Sequence, residues 1–312
     1  MRLPRLSPTA YRRITLVATV LLAIIIVTGG AVRLSGSGLG CPEWPNCSAG
    51  SLTPHEASDV NAMIEFVNRV FTGLVSLTVI VAVLGSFLRV PRRRDLIWLS
   101  LGLVGGVFAQ AVLGGLTVLF ELQPPLVMAH FLVSLVLLAN ALVLYRRAGD
   151  PDAPAQLITA PVIRTLGRFL LLAATIVVVT GTVVTATGPH GGDQDVKRFD
   201  FDIRVVARIH GTSVIAFVIL ILVIFWMLRK TRAPRAVEQR LGVLLVVTVT
   251  QAAIGYTQYL TGIPALLVGF HLAGATAVWA ATVWFLLGLV ERDAPAEAPV
   301  DSSGRTPALA PT

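Results

Sequence analysis

Long apolar blocks separated by short polar stretches dominate this chain. The blocks lie near Ile14–Val32, Phe66–Leu88, Leu96–Phe120, Leu126–Tyr145, Leu166–Thr187, Val205–Leu228, Leu241–Leu260 and Ala265–Val290. Each approaches or exceeds the roughly 20 residues that a spanning helix needs. The pattern predicts an all-α integral membrane protein with eight transmembrane helices. The first block reads as a retained span rather than a cleaved signal, because Gly29, Gly30 and Ala31 belong to a motif echoed later in the chain.

The blocks repeat. QAVLGGLTVLFELQPPLVMAH runs from Gln110 to His130, and QAAIGYTQYLTGIPALLVGFH from Gln251 to His271. Gln110, Gly114 and His130 stand 141 positions before Gln251, Gly255 and His271. Val27-Thr28-Gly29 likewise precedes Val179-Thr180-Gly181, and Gly36 precedes Gly188, at an offset of 152. The first outer loop is therefore about ten residues longer than its partner. His210 falls near the place of Asn68, at an offset of 142. Three residue types in register argue for an internal duplication. Four spans per half give both halves the same orientation. The expectation is two parallel four-helix-bundle repeats related by a pseudo-two-fold axis along the membrane normal. Residues 1–147 form the first half, 148–165 a polar, proline-rich linker, 166–291 the second half, and 292–312 a disordered tail rich in Ala, Pro and Ser.

Composition agrees: 55% of residues are hydrophobic and 13% charged, against about 25% charged in soluble domains. The net charge of +8 would suit nucleic acid, but its placement does not. Nineteen of the 25 Lys and Arg fall on one side of the eight-span topology, in the two ends and in the loops around Arg89–Arg94, Arg146–Arg168 and Arg229–Arg240. The positive-inside rule places that side, with both termini, in the cytoplasm of a multi-pass cell-membrane protein.

Polar chemistry gathers at the opposite, outer ends. Cys41 and Cys47, the only cysteines, share the first outer loop in a compartment that permits disulfides. A disulfide is favoured over two separate thiols, and a zinc site over neither, since structural zinc wants four ligands. Glu65, Asn68 and Arg69 share a face of the second helix. They read either as an interfacial ion pair or as a carboxylate at the mouth of an intramembrane pocket. His55 and His190 lie in outer loops, whereas His130, His210 and His271 lie a few residues inside helices four, six and eight. An intramembrane histidine commonly bonds another helix. A pair at one level, His210 and His271, points instead to axial ligation of heme iron across a helical bundle. Arg204 and Arg208 are placed to pair with heme propionates. A proton relay is the other reading of the histidines. Asp193 and Asp195 read as solvated loop residues.

These motifs together resemble the heme A synthase family: GGAVRLSGSGLGCPEWPNC, EFVNRVFTGL, QAVLGGLTVL with His130, GTVVTATGPHGGD, ARIHG, and IGYTQYLTGIP with His271. The resemblance covers nearly all of residues 14–290. It implies oxidation of a ring methyl of heme O to a formyl group, by successive hydroxylations, giving heme A for terminal heme-copper oxidases. It implies that His210 and His271 bind a heme b cofactor in the second half. His130 matches a histidine of the first-half site, where heme O is thought to bind. Glu65 matches a carboxylate important for catalysis, and Cys41 and Cys47 the outer-loop cysteine pair. Many family members carry a histidine where this chain has Asn68. Such an enzyme would meet the heme O synthase (a farnesyltransferase), oxidase assembly factors, an electron donor, the lipid bilayer and, as a homo-oligomer, itself, but no nucleic acid.

Two readings compete. A diheme cytochrome that passes electrons, linked to quinol, would want four histidine ligands, and Asn68 counts against it. A repeat-built transporter would want broken helices and midplane polar groups, whereas the polar groups here gather at the outer ends.

Overall fold

The computed structural model describes residues 5–292. It contains eight long helices, α1 Pro8–Leu34, α2 Val60–Leu88, α3 Arg94–Leu119, α4 Pro124–Gly149, α5 Pro161–Thr187, α6 Ile203–Lys230, α7 Arg235–Leu260 and α8 Ala265–Leu287. All eight are long and apolar enough to cross a membrane. The chain is an all-helical, eight-span membrane protein, as the hydrophobic blocks predict. The tail from 293 onward and Arg2 and Arg305 of the basic tally lie outside the described residues.

Helices α1, α2, α5 and α7 begin five or six residues before their apolar blocks. At α1 and α2 the reason is capping, and a cap also starts α6. Ser7 accepts a hydrogen bond from the Ala10 N–H at 3.2 Å and Pro8 occupies the first turn. Asp59 accepts from Ala62 at 3.0 Å, and Asp202 from Arg204 at 2.8 Å. Each satisfies a backbone donor that a helix start leaves open. Hydropathy finds the part of a helix that lipid solvates and misses such polar ends. The last helix departs in the other direction. It stops at Leu287, and Val290–Glu291 pairs as a two-residue strand with Gln156–Leu157 of the linker. The linker is thereby tied to the end of the second half.

Each odd helix packs on the even helix that follows it, and α1, α4 and α8 meet where the halves join. A Cβ on Gly30 of α1 would stand 2.6 Å from the Leu272 side chain of α8, so a larger residue there would force that leucine to move. The buried Trp279 indole of α8 donates to the Leu135 carbonyl of α4 at 2.8 Å. Outward faces carry exposed Leu77, Trp98, Phe108 and Trp226, as a lipid-facing surface requires.

At the end bearing the termini, Leu6 pairs with Leu88 and Val90, and Ile158 with Leu289. Arg93, 2% exposed, holds Asp95 at 2.7 Å and the Asp150 carbonyl at 2.6 Å. Arg147 joins Asp95 at 2.5 Å. Part of the basic excess counted above therefore builds structure.

Candidate functional site

Three histidines occupy one kind of station. Each stands near the start of an even helix, and its ring lies against a glycine of the helix before it. A Cβ on Gly114 would stand 3.4 Å from Cε1 of His130, one on Gly181 3.0 Å from Cε1 of His210, and one on Gly255 2.7 Å from Cε1 of His271. The glutamines of the repeated triplet serve the same stations. Gln110 donates to the His130 carbonyl at 3.0 Å and to Ser134 at 2.6 Å; Gln251 donates to the His271 carbonyl at 2.6 Å. Gln and Gly are four residues apart, on one helix face. One anchors the turn that carries the histidine and the other makes room for its ring.

Gly29 and Asn68 hold the sequence positions that answer to Gly181 and His210. Nothing lies within 4 Å of a Cβ built on Gly29, whereas its counterpart Gly181 meets the His210 ring. The Asn68 Oδ1 is buried without a hydrogen-bond partner, as is Nδ1 of His130. The space beside Gly29 is therefore open, whereas that beside Gly181 holds an imidazole ring.

In the second half the His210 and His271 rings come together, with centroids 6.4 Å apart and planes at 80°. Two imidazoles at that separation can bracket one metal atom with bonds of about 2 Å on each side. No cluster of three or more His, Cys, Asp or Glu exists among the described residues. The donor set thus fits axial ligation of a metal whose other ligands come from a macrocycle, and it does not fit a zinc site built from side chains. Thr180, which the sequence reading did not single out, has its hydroxyl oxygen 3.1 Å from Nδ1 of His210 and 2.8 Å from the Ile176 carbonyl. With the hydroxyl proton given to that carbonyl, Nδ1 is the donor of the pair, the tautomer that leaves Nε2 free as a ligand. The Val-Thr-Gly echo was the signal that could have found it: Thr180 precedes Gly181, and its counterpart Thr28 bonds only its own helix, at the Ile25 carbonyl. Nδ1 of His271 has no partner.

Glu65 is 6% exposed, and its carboxylate is fully engaged. It accepts from the Cys41 N–H at 2.9 Å and from Arg69 at 2.6 and 3.1 Å. Arg69 donates onward to the carbonyls of Cys41 at 3.1 Å and Asn46 at 2.8 Å. The ion pair is present, and it clamps the loop between α1 and α2 closed around the Cys41–Cys47 disulfide. Trp44 of that loop lies against Gly115, beside Gly114; a Cβ there would stand 2.7 Å from the indole. The clamped loop thereby covers the helix face next to His130.

The remaining candidates are not drawn in. Arg204 and Arg208 are exposed and make no ion pair among the described residues. Asp193 and Asp195 make none either, in keeping with solvated loop residues. His55 lines a cleft beside Cys47, Glu56 and Asp59. His190 bonds the Ile263 carbonyl at 2.8 Å, tying the loop after α5 to the turn before α8.

Fold and site together define a polytopic helical membrane protein with paired imidazoles at one level of its second half. The chain belongs to the COX15-CtaA family of cytochrome oxidase assembly proteins, whose profile matches residues 12–189 and 193–310. It is 26% identical over 296 residues to a heme A synthase of Shouchella clausii, covering 90% of this chain and 97% of that one. It is 34% identical over 180 residues to a heme A synthase of Exiguobacterium sibiricum, covering 54% and 57% of the two chains. A heme A synthase of Shewanella oneidensis is 34% identical over 150 residues, covering 43% and 44%.

Proposed function

We propose that this protein is a heme A synthase, an oxidoreductase that converts a ring methyl of heme O to the formyl group of heme A. The observation that carries the reading is the uneven set of stations: two rings meeting in the second half, and one ring with an open space in the first. His210 and His271 hold a heme b, which when bound supplies one-electron transfer. Thr180 orients His210 for that task. The first half takes heme O at His130, with Asn68 across from it. An amide is a weaker ligand than imidazole, so this half favours exchange of substrate for product over permanent binding. Glu65 and Arg69 hold the disulfide loop over the first half and exclude water from it; the resemblance also supports a direct catalytic part for Glu65.

The matching Gln bonds and Gly contacts support two halves, 1–147 and 166–291, joined by the linker and related by a pseudo-two-fold axis along the membrane normal. The basic loops support cytoplasmic termini, with the disulfide loop outside. A reductant partner must supply electrons, and the enzyme acts between the synthase that makes heme O and the oxidases that take heme A. The diheme electron carrier is not favoured, because Asn68 removes its fourth histidine.

The test is to purify the protein from cells making heme O and to identify its hemes by mass. Heme O, a hydroxylated form or heme A beside heme b is expected. Heme b alone would overturn the reading in favour of an electron carrier.

A further inference from the structure

We propose that Arg33 and Arg198 form a carboxylate-binding site, and that its ligand is a propionate of the heme held by His210 and His271. The inference rests on the heme reading of those two histidines given above. Arg33 sits in the last turn of α1, in the first half, yet its Nη2 donates to the Thr185 carbonyl of α5 at 3.0 Å. Arg198, in the loop between α5 and α6, donates Nε to the Gly188 carbonyl at 2.8 Å and Nη2 to the carbonyls of Thr185 and Gly188. Two guanidiniums thus converge on one carbonyl. Thr185 is four residues beyond Gly181, about one helical turn and 6 Å farther out, and Gly181 lies against the His210 ring.

The charge balance at this point is incomplete. The carbonyl end of a helix offers about half a negative charge, against two full positive ones. No carboxylate stands within ion-pair distance of either arginine among the described residues. Nε of Arg33 is buried without a partner. Charges drawn out of water are ordinarily paired, and partial burial pushes the Arg198 guanidinium below its usual range. The glycines of the same loop make room for the pair. Gly192, at φ +110°, leaves space for Arg33, and Gly191 for Arg198. A carboxylate one turn outward from His210 completes this arrangement. Arg204 and Arg208, the arginines that sequence position suggests for the task, are exposed on α6.

The test is reconstitution of the full-length protein, freed of heme, with heme b and with its dimethyl ester, followed by absorbance. The unaltered protein is expected to bind heme b at least tenfold more tightly than the ester. Arg33→Gln with Arg198→Gln should lose that preference, while Arg33→Lys retains part of it. Equal binding of acid and ester by the unaltered protein would overturn the proposal, and so would a preference that survives both substitutions. Competition by inorganic phosphate without any discrimination of the ester would assign the pair to a free anion and also overturn it. If the double variant misfolds, Arg198→Gln alone and the comparison on the unaltered protein still decide. A failure of the heme reading looks different: no bis-imidazole spectrum with heme b, or one indifferent to His210→Ala and His271→Ala.

Discussion

The His210 ring lies against Gly181 so closely that a Cβ at position 181 would stand 3.0 Å from its Cε1. The same relation, tighter, holds for His271 and Gly255 at 2.7 Å. Overpacking at such contacts costs about 1–3 kcal/mol, enough to misplace a ligand. Gly255→Ala is expected to lower heme b affinity by about tenfold, whereas Gly114→Ala, whose Cβ would meet the His130 ring at an ordinary contact distance of 3.4 Å, should leave heme content nearly intact. Titration of heme into the purified variants, followed at the Soret band, checks both. Equal losses at the two positions would count against a shared histidine-on-glycine design in which clearance matters.

Thr180 should tune the iron rather than merely fill space. Its hydroxyl lies 3.1 Å from Nδ1 of His210, and accepting a proton there raises the basicity of the ligating nitrogen. Thr180→Val is expected to raise the midpoint potential of the bound heme and to weaken it by about tenfold. Thr180→Ser should restore both. A potentiometric titration that finds the same midpoint in the Val variant would refute the assignment.

Asn68 stands 142 positions before His210, and its Oδ1 is buried without a partner. Asn68→His is expected to place an imidazole against Gly29 and to give a second low-spin, six-coordinate heme signal in electron paramagnetic resonance. Tighter retention of first-half heme should accompany it, with slower conversion of heme O. The prediction fails if the variant shows one low-spin species and unchanged turnover.

The Glu65–Arg69 pair is buried enough to matter for stability. Removing one partner of such a pair leaves a charge unpaired, at about 3–5 kcal/mol. Arg69→Ala should therefore lower the unfolding temperature more than Glu65→Gln, which leaves no buried anion behind. It should also loosen the outer loop. Cys41 and Cys47 are 0% and 1% exposed, so reductant should reach the disulfide about tenfold faster in Arg69→Ala, by easier local opening. Timed reduction and alkylation, read by mass, gives the comparison. Equal rates would place the loop's stability elsewhere.

Much of this molecule was legible in one dimension. Eight spans follow from block length, because lipid admits only helices whose backbone bonds close within the segment. The Gln, Gly and His stations follow from register, because helix geometry turns a spacing of four into a shared face. Capped ends, the pairing of Gln156–Leu157 with Val290–Glu291, and Trp44 against Gly115 were not legible, since each joins residues that only folding brings near. The sequence by itself determined that three histidines and one asparagine recur at matching spacings in apolar blocks. Only the tertiary structure decided that His210 and His271 meet at 6.4 Å, that Glu65 bonds the disulfide loop, and that Arg33 crosses to the second half. Spacing along a helix fixes which residues share a face. What that face meets depends on how eight helices pack, and no local pattern encodes it.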